Sequence, residues 1–372
     1  MIEINTLMET MVRQREMIGS SRQLVLHPNL IDFSSNDYFG WARSSEMKAY
    51  LQSITRENAH LTVGATGSRL LTGNSELALE VEDEIAQYHE AESALLMSSG
   101  YLANQGLLSA LGARGSNIIR DEYAHASLID GCRLSFARHL HFKHNDLTDL
   151  EFKLAQCKGL CYVVVESLYS MDGDFAPLTE LVNLCKQKGA LLIVDEAHAL
   201  GVYGAGLVQS QYLQDCVFAR TVTFGKALGG QGAAILGSYH LKRFLINFCR
   251  PLIFSTAMSC PQLLVIKAGY YLLKKERKIA EVLQQKCALF TKEMRLAQQN
   301  ILFSPIQAIK ITGNTAVDQA ATVLIKAGFD VRPIKSPSIP EGGERLRICI
   351  HAFNTDEEII DLTRLLFSIL QN

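Results

Sequence analysis

Short apolar runs recur through the middle of this chain, and stretches with helical spacing separate them. "SALLMSS" (93–99), "SNIIR" (116–120), "HLHFK" (139–143), "CYVVVES" (161–167), "ALLIVDE" (190–196) and "RTVTF" (220–224) read as strands. Between them lie "GYLANQGLLSALGA", "ASLIDGCRLS", "LTDLEFKLAQC" and "PLTELVNLCKQKG", which carry the period of a helix. Strands that are apolar along their whole length need cover on both faces, and helices between strands supply it. The pattern therefore predicts a mostly parallel sheet in an α/β fold. "GAAILGS" (232–238) follows its predecessor after so short a turn that it reads as an antiparallel neighbour, making a seventh strand.

The final third changes character. Residues from about 241 to 300 look helical throughout, and then "IQAIKIT", "DVRPIK" and "RLRICIHA" read as strands with helices between and after them. The last helix opens with "TDEE" (355–358), where Thr355 and Glu358 form a capping box. This is the pattern of a small α+β domain. Ahead of "IDFSSNDYFG" (31–40) lies an arm with one helix. A chain of 372 residues exceeds what one hydrophobic core usually supports. The expected division is an arm over 1–45, a large domain over 46–270 and a small C-terminal domain over 271–372.

Composition excludes several functions. Hydrophobic residues make up 48% and charged residues 20%, an ordinary globular balance rather than a disordered one. A net charge of −2 gives no basic field for nucleic acid and no polybasic run for a membrane surface. The start, "MIEINTLMET", lacks the basic and apolar regions of a signal peptide, and no apolar run is long enough to span a bilayer. Nine cysteines are scattered, and Cys157 and Cys161, the closest pair, have no second pair at zinc spacing. Buried free thiols in a reducing cytoplasm fit this usage, with no metal site expected.

Active groups of open α/β sheets gather beyond the carboxyl ends of the strands. Those ends hold Gly100 and Tyr101 after the first strand, His125 after the second, Ser170 after the fourth, "DEAH" (195–198) after the fifth and Lys226 after the sixth. Each residue taken singly has an ordinary reading as well as a chemical one. Asp195 is a strand-end cap or a partner for a protonated ring nitrogen. His198 is a polar rim residue or a donor to a phenolic oxygen. His125 is a helix cap or a ring that stacks on an aromatic cofactor. Gly100 opens a turn, or lets a phosphate reach the free amides of a helix. Thr223, Ser255 and Thr256 are loop hydroxyls or phosphate ligands, and Arg347 is a strand-edge charge or a carboxylate clamp. Lys226, in "VTFGKALGGQG" (222–232), is a solvated turn lysine, a phosphate binder or a nucleophilic amine. A P-loop requires G-x-x-x-x-G-K-[ST], and a dinucleotide fold G-x-G-x-x-G; neither is present. Together, a phosphate site, a stacking imidazole, a carboxylate for a ring nitrogen and a lysine are what a pyridoxal phosphate enzyme requires.

The motifs "FSSNDYFG", "GATGSRLLTGN", "SSGYLANQG", "DEYAHASLIDG", "KHNDLTDLE", "SLYSMDGDFAPL", "VDEAHALGVYGAG", "VTFGKALGGQGAA", "RPLIFSTAMS" and "ERLRI" follow one another through nearly the whole chain. In this order they make the chain resemble the α-oxoamine synthases, which join an amino acid to an acyl thioester with loss of carbon dioxide. The resemblance implies a fold type I aminotransferase-like α/β architecture, pyridoxal 5′-phosphate as cofactor, and a homodimer with its sites at the interface. It implies an L-amino acid and an acyl thioester, carried by coenzyme A or an acyl carrier protein, as substrates. Departures from the family pattern are Ala78, where many relatives have histidine, "EAHALG" after Asp195 and "GGQGA" after Lys226.

On this resemblance Lys226 holds the cofactor aldehyde and later removes the α-proton, Asp195 keeps the ring nitrogen protonated and His125 stacks on the ring. His198, with Ser170, faces the phenolic oxygen. Gly100, Tyr101, Thr223 and Thr256 surround the phosphate, the last reaching across the dimer. Arg347 binds the amino acid carboxylate, with Asn36 and Ser338 as further substrate contacts.

Overall fold

The computed structural model describes residues 2–26, 29–296 and 303–371. Its packing separates two compact units: Asp37–Ser170 with Asp174–Glu281, and Met1–Asn36 with Met171–Gly173 and Val282–Asn372. The first 36 residues thus pack with the C-terminal stretch instead of forming a body of their own. Their strand β1 (Ile31–Asp32) pairs in parallel with Phe329–Asp330, and Phe33 sets its ring 6.0 Å from that of Phe329.

The larger unit carries strands β2 (Ser93–Met97), β3 (Asn117–Asp121), β4 (Arg138–Phe142), β5 (Cys161–Glu166), β6 (Leu191–Asp195), β7 (Ala219–Thr223) and β8 (Ala233–Gly237). They form one α/β sheet in the order β2-β8-β7-β6-β5-β3-β4. The pairs β3–β4, β3–β5, β5–β6 and β6–β7 are parallel. Strand β8 runs antiparallel to both β7 and β2, as the short turn before it predicts. One face packs Leu95, Met97, Ile118, Val164, Ile193 and Ile235 against Leu107, Leu108 and Leu128 of the helices Gly100–Leu111 and Ala126–Leu134. The alternate residues Leu96, Ile119, Val163, Leu192 and Leu236 are buried too. Continuous apolar strands arise because neither face meets water.

After β3 the chain moves outward to β4, then returns past β3 to lay down β5, β6 and β7 in the opposite direction. The order of the sheet therefore switches between β3 and β5. Crevices for ligands open at such a point, beyond the strand ends. His125 follows β3 and Ser170 follows β5.

The glycine-rich turn after β7 has a packing cause at Gly229. Gly229 has φ +64°, and a Cβ there would lie 2.3 Å from the backbone nitrogen of Ala42. The turn packs directly onto backbone, which excludes any side chain at this position.

Residues 241–296 are not one helical run. Helices span Tyr239–Phe248, Arg250–Phe254, Cys260–Lys275 and Ile279–Leu296. Pro251 and Pro261 sit in the first turns of two of them, where the missing N–H costs nothing, and so mark new starts. The expectation of helix over 297–300 falls outside the described residues.

In the smaller unit β9 (Ile306–Lys310), β10 (Phe329–Asp330), β11 (Arg332–Ile334) and β12 (Arg345–Cys349) are the strands of the C-terminal stretch. Antiparallel β11, β12 and β9 form a sheet in that order, so Pro333 lies on an edge strand, where a residue without N–H is tolerated. The last helix, Asp356–Gln371, starts with the expected capping box: Thr355 N donates to Glu358 at 2.9 Å, and Glu358 N to Thr355 Oγ1 at 3.1 Å.

Candidate functional site

Strand β6 delivers Asp195 to the rim of the larger sheet with only 5% of its surface exposed. A buried carboxylate needs donors. Ala197 N donates to Oδ1 at 2.8 Å, and Asn104 Nδ2 donates to Oδ2 at 2.6 Å. The same amide nitrogen lies 3.0 Å from Ser127 Oγ, which is 2.8 Å from Nδ1 of His125. Asp195 and His125 are thus joined by two intervening side chains.

His125 caps the helix Ala126–Leu134 through its ring nitrogen, and the residue is exposed to solvent. Burial of its inner side lowers its pKa; Asp195 opposes this and Lys226 adds to it. Lys226 also acts electrostatically on Glu166, which ends β5 in register with Asp195. Burial and the Asp195 charge push the Glu166 carboxyl up to about 8 despite Lys226. Its Oε2 accepts from Ser170 N at 3.3 Å, while Oε1 is buried with no hydrogen bond among the described residues.

His198 is buried, and its Nδ1 lies 2.7 Å from the hydroxyl of Tyr38, itself fully enclosed. Gly100 opens the helix Gly100–Leu111, whose cap is the Ser99 side chain. A Cβ on Gly100 would stand 2.4 Å from Cγ2 of Thr223, so the first turn of this helix lies against the end of β7. Tyr101 is partly exposed, hydrogen-bonded to Asp130, with its ring edge-on to His125 at 6.2 Å. Thr256 is exposed in the loop before the helix Cys260–Lys275. With Ser255 it lines a cavity shared with Arg69, Ala78 and Ser98. The substrate candidates belong to the smaller unit. Arg347 on β12 donates to Asn36 Oδ1 at 3.0 Å, and Ser338 accepts from Arg22 at 2.8 Å.

Asn104, Ser127, Tyr38 and Glu166 are site groups that the motifs did not single out. Asn104 left a trace in the sequence, since it is a polar residue on the core side of a helix between Ala103 and Leu107. Another group, in "KHND", clasps two loops of the site. His144 places Nδ1 2.9 Å from Asp121 and Nε2 2.6 Å from Asp174. With a carboxylate at each nitrogen, both must carry protons. Burial alone would lower its pKa, but these two partners carry it to about 10. Tyr123 stacks on the imidazolium at 4.4 Å, and Tyr169 meets it edge-on at 4.5 Å. The cluster ties the chain leading to His125 to residues on either side of Ser170, Tyr169 and Asp174.

Comparison with known proteins fits this arrangement. The model for "Aminotransferase class I and II" matches residues 28–365. The chain belongs to this family. It is 35% identical to an 8-amino-7-oxononanoate synthase of Emericella nidulans, over 99% of this chain and 96% of the relative. It is 36% identical to the 8-amino-7-oxononanoate synthase of Mycobacterium leprae, over 98% and 95%. Among solved structures, a serine palmitoyltransferase with PLP superposes with a TM-score of 0.86 at 25% identity, covering 100% of this chain and 96% of that one.

The donor set fits the family's cofactor on two observations. His125 is an exposed residue that interacts electrostatically with the buried Asp195 carboxylate and with Lys226. The first turn of the helix at Gly100 carries no side chain and packs against Thr223, which brings free helix amides and the Thr223 side chain together. Asp195, His125, His198, Ser170 and Lys226 would hold the ring, and Gly100, Tyr101 and Thr223 the phosphate.

The His144 clasp has a pH signature. Its folded pKa of about 10 lies above the value of 6.5 for a free histidine. The folded chain therefore binds the extra proton between these values, and stability falls as pH rises through that window. The contribution is complete below pH 6.5 and lost near pH 10. The melting temperature of His144→Gln is expected to lie below that of the wild type at pH 7, with the gap closing toward pH 10. A gap that stays constant over that range would refute the charged clasp.

Proposed function

We propose that this chain condenses L-alanine with a pimeloyl thioester of coenzyme A or an acyl carrier protein. Carbon dioxide and the free thiol of the carrier are released, and 8-amino-7-oxononanoate, an early intermediate of biotin synthesis, is formed. The observation that carries this reading is identity of about 35% along almost the whole length of synthases bearing that name. With it stands the set of Lys226, Asp195, His125 and His198 at one rim of the sheet. The enzyme class is a pyridoxal phosphate-dependent acyltransferase.

Bound pyridoxal 5′-phosphate supplies an electron-poor ring that takes up negative charge from the α-carbon of the amino acid. The chain's own residues do the rest. Lys226 would hold the cofactor through its amine and would take the α-proton as general base. Asp195, fixed by Asn104 and the Ala197 amide, keeps a proton on the ring nitrogen. His125 covers one ring face. His198, oriented by Tyr38, and Ser170 address the phenolic oxygen. Gly100, Tyr101 and Thr223 bind the phosphate, with Thr256 contributed from the other subunit of a homodimer. Arg347 binds the alanine carboxylate, and Asn36 and Ser338 take part in substrate binding.

Among the described residues no helix is long and apolar enough to cross a membrane, and all nine cysteines are free thiols. Both fit residence in the cytoplasm. A second reading is another α-oxoamine synthase, such as glycine C-acetyltransferase or serine palmitoyltransferase; the structural likeness to a serine palmitoyltransferase favours the latter.

The deciding experiment is thioester consumption by the cofactor-loaded protein. L-alanine, glycine and L-serine are each crossed with pimeloyl, succinyl, acetyl and palmitoyl donors. Turnover is expected with L-alanine and the pimeloyl donor, and a preference for L-serine with palmitoyl would establish the second reading instead. Borohydride reduction followed by peptide mass mapping is expected to find the cofactor on Lys226, and Lys226→Ala to lose at least about 100-fold in turnover. Label on another lysine would remove this role. Loss of a charge-assisted carboxylate pair is worth roughly 2 kcal/mol, so Arg347→Ala should raise KM for alanine tens of fold and leave that for the thioester near its wild-type value. An equal rise for both substrates would contradict the assignment.

A further inference from the structure

The two side chains between Asp195 and His125 have a directional arrangement. Asn104 has a carboxylate on one side, which accepts only, so its Nδ2 must face Asp195. The second proton of that nitrogen goes to Ser127 Oγ at 3.0 Å. Its own Oδ1 is left buried without a hydrogen bond among the described residues, a cost that the charge-assisted bond to Asp195 offsets. Ser127 Oγ, having accepted from Asn104, turns its proton toward Nδ1 of His125 at 2.8 Å. The backbone N–H of Ser127 points at the same Nδ1 from 3.2 Å. Nδ1 therefore faces donors. A proton on it would oppose the Ser127 N–H and make the hydroxyl accept from two sides. Asn104 and Ser127 are 2% and 0% exposed, so water does not compete for these bonds.

We propose that Asn104 and Ser127 are positioning residues that tie Asp195 to His125 and hold the His125 ring as the neutral tautomer with its proton on Nε2. The groups that face this ring agree with a neutral form: Lys226 disfavours added positive charge, Asp195 favours it, and burial of the inner side tips the balance against it. Glu166 interacts with the backbone N–H of His125, and Tyr101 meets the ring edge-on; neither supplies a fixed negative charge at Nδ1. A neutral ring places no second cation against the protonated heterocycle that Asp195 sustains. The link also means that a shift of Asp195 is felt at His125. The placement of the cofactor between them rests on the proposed function; the tautomer does not.

The test is the nitrogen spectrum of full-length protein labelled with 15N-histidine, recorded with and without pyridoxal phosphate from pH 6 to 8. The His125 signals are identified by their loss in His125→Gln. The expected wild-type pattern is a protonated Nε2 and a bare Nδ1 throughout this range. Ser127→Ala and Asn104→Ala should mix the tautomers and raise the protonation midpoint by roughly 0.5–1 pH unit, and Ser127→Thr should restore the wild-type pattern. An imidazolium or a proton on Nδ1 in the wild type at pH 7 overturns the proposal, and so do alanine variants with an unchanged pattern. The wild-type spectrum decides the matter should a variant fail to fold. A chain showing the expected tautomer but no uptake of pyridoxal phosphate would sink the proposed function and leave this inference standing.

Discussion

Asp195 sets the conditions for everything around it. It carries a carboxylate to the end of a buried strand, where an unpaired charge would cost several kcal/mol. Two donors hold it, one from its own turn and one from the helix Gly100–Leu111. That second donor fixes the helix's rotation, because Asn104 must face inward. The same helix therefore presents Gly100 to Thr223 at its first turn. The dipole end of a helix and a buried carboxylate are set by one hydrogen bond.

The topology explains why such groups converge. Strands β3, β5, β6 and β7 run in parallel, so their carboxyl ends share a rim, and the chain reverses its direction of travel between β3 and β5. Residues distant in sequence meet there without a long loop. The His144 clasp completes the rim by fastening the segment after β3 to the segment after β5.

Much of this was legible in the sequence, for identifiable reasons. Strand cores such as "CYVVVES" are apolar throughout, and the ends of β2 to β8 fall within two residues of the expected ones. The antiparallel course of β8 followed from turn length alone. Asp195 and Lys226 were visible because charge at the end of an apolar run is conspicuous. Partners were not visible. Tyr38 reaches His198 across 160 residues, and Asn104 reaches Asp195 across 91. No periodicity encodes a contact between two elements that fold separately. The same holds for β1, whose two residues find their mate at Phe329 and Asp330, a pairing that nothing in the N-terminal arm announced.

Strand β2 reaches the rest of its sheet only through β8, and the Ser93 hydroxyl bonds to Gly237 across 144 residues of chain. On the ribosome, the first strand of this seven-stranded sheet to emerge must wait for the last of the seven before it has a neighbour. Lys226 lies in the turn just before that closing strand, so its side chain reaches its setting only when the sheet is sealed. A nascent chain is thus kept from displaying a half-built centre, at the expense of a long interval in which an apolar edge needs shelter.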